Sequence, residues 1–205
     1  MKTFINLDQA IKFRKIEELL DLPVIIRVKD FTAYAVEVFD QQLQRAMNTQ
    51  QPVVPVIIDS YGGQAYSVRA MVSLMEDCSK PVATIALGKA MSCGAILLGN
   101  GTKGFRFADS NATIMIHDLS SGKSGKIEEL KASVNESDRL NNTIYHKLAK
   151  KCGHKDKGYF LKKMSENKQA DLFLTALQAK RHGLVDHIGI PEMNVNIDVN
   201  MEFKI

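Results

Sequence analysis

Cysteine is scarce in this 205-residue chain, and the three present, Cys78, Cys93 and Cys152, are odd in number and form no C-x-x-C pair. Their scarcity excludes a disulfide framework and a cysteine-built zinc site, and makes a reducing compartment the expectation. Long hydrophobic runs are missing too: no segment approaches the ~18 uninterrupted apolar residues of a membrane-spanning helix. The opening MKTFINLDQAIKFRK meets charge within a few residues, so it reads as unprocessed rather than as a secretion signal. The expectation is a cytoplasmic protein with no membrane partner. Charge of one sign is also lacking, since 27 Lys and Arg are interspersed with 23 Asp and Glu for a net +4, a poor footprint for nucleic acid. No low-complexity tract or internal repeat interrupts the chain. What remains is ordinary globular composition, 45% hydrophobic and 24% charged, at a length that suits one domain over residues 1–205 with a sizeable core.

Apolar periodicity then orders the elements. Residues 8–21 carry Ile11, Ile16, Leu19 and Leu20 at roughly helical spacing, and Pro23 ends that helix. Residues 24–28 and 53–58 read as buried strands, with a helix over 32–47 between them. A helix over 66–78 packs Val68, Met71, Val72 and Met75, and Pro81 opens a strand over 82–87. Strand, helix, strand, helix, strand favours a largely parallel sheet with helices across it, because parallel neighbours need crossover connections. Further on, 88–98 is small and apolar, 105–107 and 113–116 read as short strands, and 126–151 as a long polar helix followed by two shorter ones. The tail alternates strictly from Met193 to Ile205, apolar at odd and polar at even positions, the signal of a half-buried strand.

Several residues carry chemistry. Ser92 lies in Ala90-Met91-Ser92-Cys93-Gly94, just after a buried strand and before an apolar helix. There it is either a helix cap or a nucleophile whose developing charge faces free backbone N–H groups. A serine needs a base, and His117 ends the apolar run 112–116 at a strand edge where α/β folds place active-site groups, although a lone histidine there also suits a structural role. His146, His154, His182 and His187 read as surface residues. Gly62-Gly63 follows a buried strand and is either a plain tight turn or a turn that aims N–H groups at a ligand; no nucleotide fingerprint surrounds it. Cys93 reads as a packing residue, the lysines between 147 and 157 as a solvated helix face, and Cys152 with His154 as too small a set for a metal.

The order of these motifs is more specific than any one of them. Ile58-Asp59-Ser60-Tyr61-Gly62-Gly63, then Gly88 to Ala95, Gly101 to Phe107, Met115-Ile116-His117, Asp171 to Ala176 and His182 to Asp186 together resemble the proteolytic subunits of Clp proteases, the ClpP family of serine peptidases. The likeness spans about 53–188. It implies an α/β fold of the ClpP/crotonase-like type, a spiral of β-β-α units with a protruding handle that begins near Gly122 and Gly125. It implies Ser92 as nucleophile, His117 as general base and Asp171 as its orienting carboxylate, with Asp118 ranked second. The backbone N–H groups of Gly62 and Cys93 would form the oxyanion hole, and Gly63, Asp118 and Leu119 would flank an extended substrate strand.

The same resemblance implies two stacked seven-membered rings of this chain around a chamber, unfolded protein or peptide substrates, and an AAA+ unfoldase that uses ATP. This chain itself would need no cofactor and no metal. The sequence departs from the family pattern at Tyr61, where Pro is usual, and at Asp118-Leu119, where Gln-Pro is usual. The family's axial-loop pattern is absent from residues 1–23, and the tail after Pro191 is unlike the usual terminus. These departures keep two alternatives open: a noncatalytic ring subunit, and a processing peptidase independent of an unfoldase, such as one of viral maturation. An acyl-CoA hydratase or isomerase of the same superfold has no need of Ser92, His117 and Asp171.

Overall fold

The computed structural model describes residues 22–120, 122, 124–168 and 171–194, so the expected helix over 8–21 and the tail strand beyond residue 194 lie outside the described residues. Within them lie seven strands and six helices. Strand β1 (Ile26–Val28) leads to α1 (Ala33–Asn48), β2 (Val54–Ser60), α2 (Ala65–Asp77), β3 (Val82–Met91) and α3 (Cys93–Gly99). Then come β4 (Arg106–Ala108), β5 (Thr113–Ile116), α4 (Ile127–Lys151), α5 (Tyr159–Glu166), β6 (Leu172–Thr175), α6 (Ala176–Arg181) and β7 (His187–Ile188). The fold is α/β with a mostly parallel sheet, as the alternation of elements indicated.

Strands β1, β2, β3, β4 and β7 lie side by side in that order, all parallel. The first five residues of β3, Val82 to Ala86, are all buried, the pattern of a strand covered on both faces. It is longer than the expected strand over 82–87, because its second half acquires a different neighbour. Thr84 to Ala86 pair with β4, whereas Lys89 to Met91 pair with Thr113 to Met115 of β5. Strand β6 then adds antiparallel to β5. Neither β6 nor β7 is expected from sequence; each is defined by its pairing with a distant strand, β5 and β4 respectively.

The helices cover this sheet through the faces their sequences mark. Thr32 caps α1, its hydroxyl accepting from the Ala35 N–H at 3.1 Å, an arrangement worth about 1 kcal/mol. Helix α2 buries Val68, Met71, Val72 and Met75, as the spacing indicated. All seven residues of α3 are buried, so this helix lies inside the fold. Helix α4 divides: Leu140, Ile144, Tyr145, Leu148 and Ala149 are buried, while Ile127 and Val134 of its first half are 70% and 61% exposed. No helix among the described residues is long and apolar enough to cross a membrane.

Two polar clusters hold the region around β4 and β7. Arg106 is only 3% exposed and meets Asp186 in two hydrogen bonds, Nη2 to Oδ1 at 2.6 Å and Nε to Oδ2 at 2.9 Å. Asp186 Oδ2 also accepts from the backbone N–H groups of Gly104 and Arg106. Burial opposes the charge on Asp186, but the bonds and charge of Arg106 outweigh it and hold the carboxyl below its ordinary value. His154 and His182 are not the surface residues expected. His154 stacks on the Tyr159 ring at 3.5 Å, and the Tyr159 hydroxyl lies 2.7 Å from His182 Nδ1; with that nitrogen unprotonated, the hydroxyl donates to it. Burial, with the charges of Lys163 and His154, holds His182 below its ordinary value.

Removing one partner of the Arg106 pair leaves a buried guanidinium uncompensated, so Asp186→Ala should cost about 3–5 kcal/mol in urea denaturation at matched protein concentration. His182 behaves in the opposite sense to a salt-bridged histidine. Its folded-state value lies below its unfolded one, so the unfolded chain binds more protons and stability falls as pH drops below about 6.5. His182→Gln keeps an acceptor for Tyr159, and should flatten that slope in a pH series of Tm values.

Candidate active site

Strand register brings Ser92, His117 and Asp171 to one end of the sheet. Met91 of β3 pairs with Met115 of the parallel β5, so Ser92 and His117 leave their strands on the same side. Ile116 pairs with Leu172 of the antiparallel β6, which sets Asp171, just before that strand, opposite His117. The turn after β2, Tyr61-Gly62-Gly63, lies at the same carboxyl end, where open α/β sheets place ligands.

Ser92 occupies the cap position of α3 without capping it. Its side chain makes no hydrogen bond to the helix, and its backbone has φ +52° and ψ −118°. A non-glycine residue in this region carries strain of about 1–3 kcal/mol, which the surrounding structure must impose. Its N–H donates to the Met115 carbonyl at 2.8 Å, and the buried α3 continues behind it. The result is a hydroxyl turned to the His117 ring, with Nε2 2.8 Å from Oγ. With that nitrogen unprotonated, the serine hydroxyl donates to it. His117 Nδ1 lies 3.6 Å from Asp171 Oδ1, ion-pair range but longer than a hydrogen bond, and the Asp171 side chain is 51% exposed.

The turn beside Ser92 requires glycine. Gly62 has φ +113°, and a Cβ there would fall 2.8 Å from the Ser92 Cβ. The Gly62 N–H, expected in an oxyanion hole, donates instead to Ser60 Oγ at 3.0 Å, so a ligand oxygen competes with that buried hydroxyl. Gly63 packs on Phe31 through an isolated parallel bridge. Its carbonyl accepts from the Cys93 thiol at 3.2 Å. Burial pushes that thiol up, so Cys93 is a neutral packing group, as the sequence indicated.

A cleft of about 750 Å³ opens beside the serine and histidine. Ile96, Met115, Leu140 and Ile144 give it an apolar lining, and Tyr61, Tyr66 and Glu136 are among its polar and aromatic residues. The Tyr66 hydroxyl donates to Glu136 Oε1 at 2.7 Å, linking α2 to α4. Hydrogen bonds from Arg139 and then from Tyr66 bring the Glu136 carboxyl down to about 2, so it stays ionised. Tyr61 is exposed, with Lys89 4.5 Å above its ring centre and Asp59 2.9 Å from the Lys89 ammonium.

Asp118 turns away from the His117 ring and accepts from Asn141 Nδ2 at 2.8 Å, while the Leu119 N–H donates to Asn141 Oδ1 at 3.2 Å. Tyr145 donates to the His117 carbonyl. Sequence reasoning passed over Ser60, Tyr66, Glu136, Asn141 and Tyr145. The one available signal is the i, i+4 spacing of Asn141 and Tyr145, beside the apolar stripe of Leu140, Ile144 and Leu148 in an otherwise polar helix.

Gly62→Ala adds a methyl group where the Ser92 side chain stands and a Cβ at positive φ, so it should slow covalent labelling of Ser92 by a fluorophosphonate by at least about tenfold while the protein stays folded. Comparison of sequence gives the family: the model of the Clp protease family matches residues 12–192, and the chain therefore belongs to the Clp protease family and is a peptidase of that kind.

Proposed function

We propose that this chain is a serine-type endopeptidase and the proteolytic subunit of a chambered Clp-type protease acting on unfolded polypeptides. The observation that carries the reading is the 2.8 Å contact between Ser92 Oγ and His117 Nε2 at the head of a strained turn. In this scheme Ser92 Oγ attacks the scissile carbonyl carbon as His117 Nε2 takes its proton. His117 then gives that proton to the leaving amine, and water hydrolyses the acyl-enzyme by the same route in reverse. Asp171 faces Nδ1, orients the ring and stabilises the imidazolium. The Cys93 N–H, at the first turn of α3, and the Gly62 N–H, once Ser60 yields it, bind the oxyanion. Such donors contribute roughly 10²–10³ each in rate.

An extended substrate lies along Gly63 on one side and Asp118-Leu119 on the other, with a side chain in the apolar cleft. The exposed first half of α4, with Ile127 and Val134 uncovered, serves as the handle through which two heptameric rings stack. An AAA+ unfoldase spends ATP to feed the chamber, in the cytoplasm, and no cofactor enters the steps at Ser92.

The test is fluorophosphonate labelling followed by intact mass, with native mass recorded on the same samples. Wild type should gain one adduct and Ser92→Ala none. Asp171→Asn, which holds the wrong imidazole tautomer, should slow labelling by roughly 10²- to 10⁴-fold. An unlabelled wild type in an intact ring would replace this reading with a noncatalytic ring subunit. Labelling without any ring would favour a processing peptidase that acts alone.

A further inference from the structure

The base-bearing strand ends one residue before its functional side chain. Ile116 is the last residue of β5 paired with β6, and the main chain of 117–119 leaves the sheet. Two hydrogen bonds from one face of α4 to this main chain, and a third to the Asp118 side chain, take over where the ladder stops. Tyr145 Oη donates to the His117 carbonyl at 2.5 Å. Asn141 Nδ2 donates to Asp118 Oδ1 at 2.8 Å, and Asn141 Oδ1 accepts the Leu119 N–H at 3.2 Å. A backbone N–H can only donate, so the Asn141 amide has one orientation, and in that orientation its NH₂ meets an acceptor at Asp118. Residues 141 and 145 are one turn apart and therefore share a helix face. That stretch of α4 is anchored by Leu140, Ile144 and Leu148 in the core, so the three bonds are mounted on a rigid element. Tyr145 is 2% exposed, and burial pushes its phenol up, which keeps it a donor at any working pH.

We infer that Asn141 and Tyr145 are positioning residues that fix the main chain of residues 117–119 and, through it, the aim of the His117 imidazole at Ser92. The inference rests on the serine-peptidase reading. It makes α4 a second frame for the base, beside the sheet. The same helix reaches the cleft rim through Glu136 and Tyr66, so a displacement of α4 moves the base and the cleft wall together.

The experiment exploits the reciprocity of the Asn141–Asp118 contact. Asn141→Asp sets a second carboxylate against Asp118, and the rate of Ser92 acylation by diisopropyl fluorophosphate should fall by about tenfold to a hundredfold. Adding Asp118→Asn restores a donor facing an acceptor, and the double variant should recover most of that loss. Tyr145→Phe removes one donor without changing the shape of the core and should slow acylation as well. Native mass and Tm of every variant separate mispositioning from failure to fold or assemble. A role limited to lining the cleft would raise KM for a peptide and leave acylation by this small reagent unchanged. Asn141→Asp and Tyr145→Phe at the wild-type acylation rate would overturn the inference, as would a folded double variant no faster than Asn141→Asp. A wild type that never labels would overturn the serine-peptidase reading, and this inference with it.

Discussion

The hydrogen bond from the Ser92 N–H to the Met115 carbonyl joins the end of one strand to the next and holds a serine at positive φ. It continues the ladder between β3 and β5 one residue past the last strand pair, at the point where the chain turns into the buried helix α3. Because α3 is enclosed on all sides, the turn cannot relax toward a broader loop without exposing its seven buried residues. The strain at Ser92 is thus balanced by core packing behind it. Gly62 answers the same demand from the neighbouring strand end, since only a residue without Cβ can stand beside the Ser92 side chain. The position of the hydroxyl, the glycine turn and the histidine two residues beyond Met115 all follow from that one junction.

Around this junction the protein uses polar contacts where apolar packing gives out. Sheet pairing stops at Ile116, and hydrogen bonds from α4 take over along 117–119. Helices α2 and α4 are joined by Tyr66 and Glu136 beside the cleft, and by Glu76 with Lys147 and Lys151 near their other ends. The exposed ion pairs contribute little to stability individually, but they set the separation of two helices that border an open cleft. The buried Arg106–Asp186 pair differs in kind: it is bidentate and shares its carboxylate with two backbone N–H groups, which joins β4 to the segment preceding β7.

Much of the fold is legible in the sequence where periodicity runs long enough. Val68, Met71, Val72 and Met75 mark the buried face of α2, and residues 113–116 form the strand their apolar run announces. The second half of β3 is not legible, because Gly88 and Lys89 look like a strand end until β5 supplies a partner. Strands β6 and β7 are hidden for the same reason, each being defined by a distant neighbour rather than by its own residues. His154 and His182 sit among polar residues in sequence, yet the packing of α5 and α6 draws them onto Tyr159. At the site, the pentapeptide around Ser92 taken alone favours a cap over a nucleophile. The absent capping bond, the dihedrals and the distance to His117 are visible only in the fold. Asp118 and Leu119, which stand out as departures from the family pattern, acquire a physical account only once Asn141 is seen against them.

The sequence by itself determined composition, the principal buried faces and the order of motifs by which the chain is recognised as a Clp protease family member. These are properties of local spacing, and local spacing survives in a one-dimensional string. Tertiary structure decided which of the candidate groups meet. Ser92 and His117 are 25 residues apart, and Asp171 lies just before a strand of opposite direction. Their approach depends on inter-strand register, which backbone hydrogen bonds between distant segments set and which no neighbouring residue encodes.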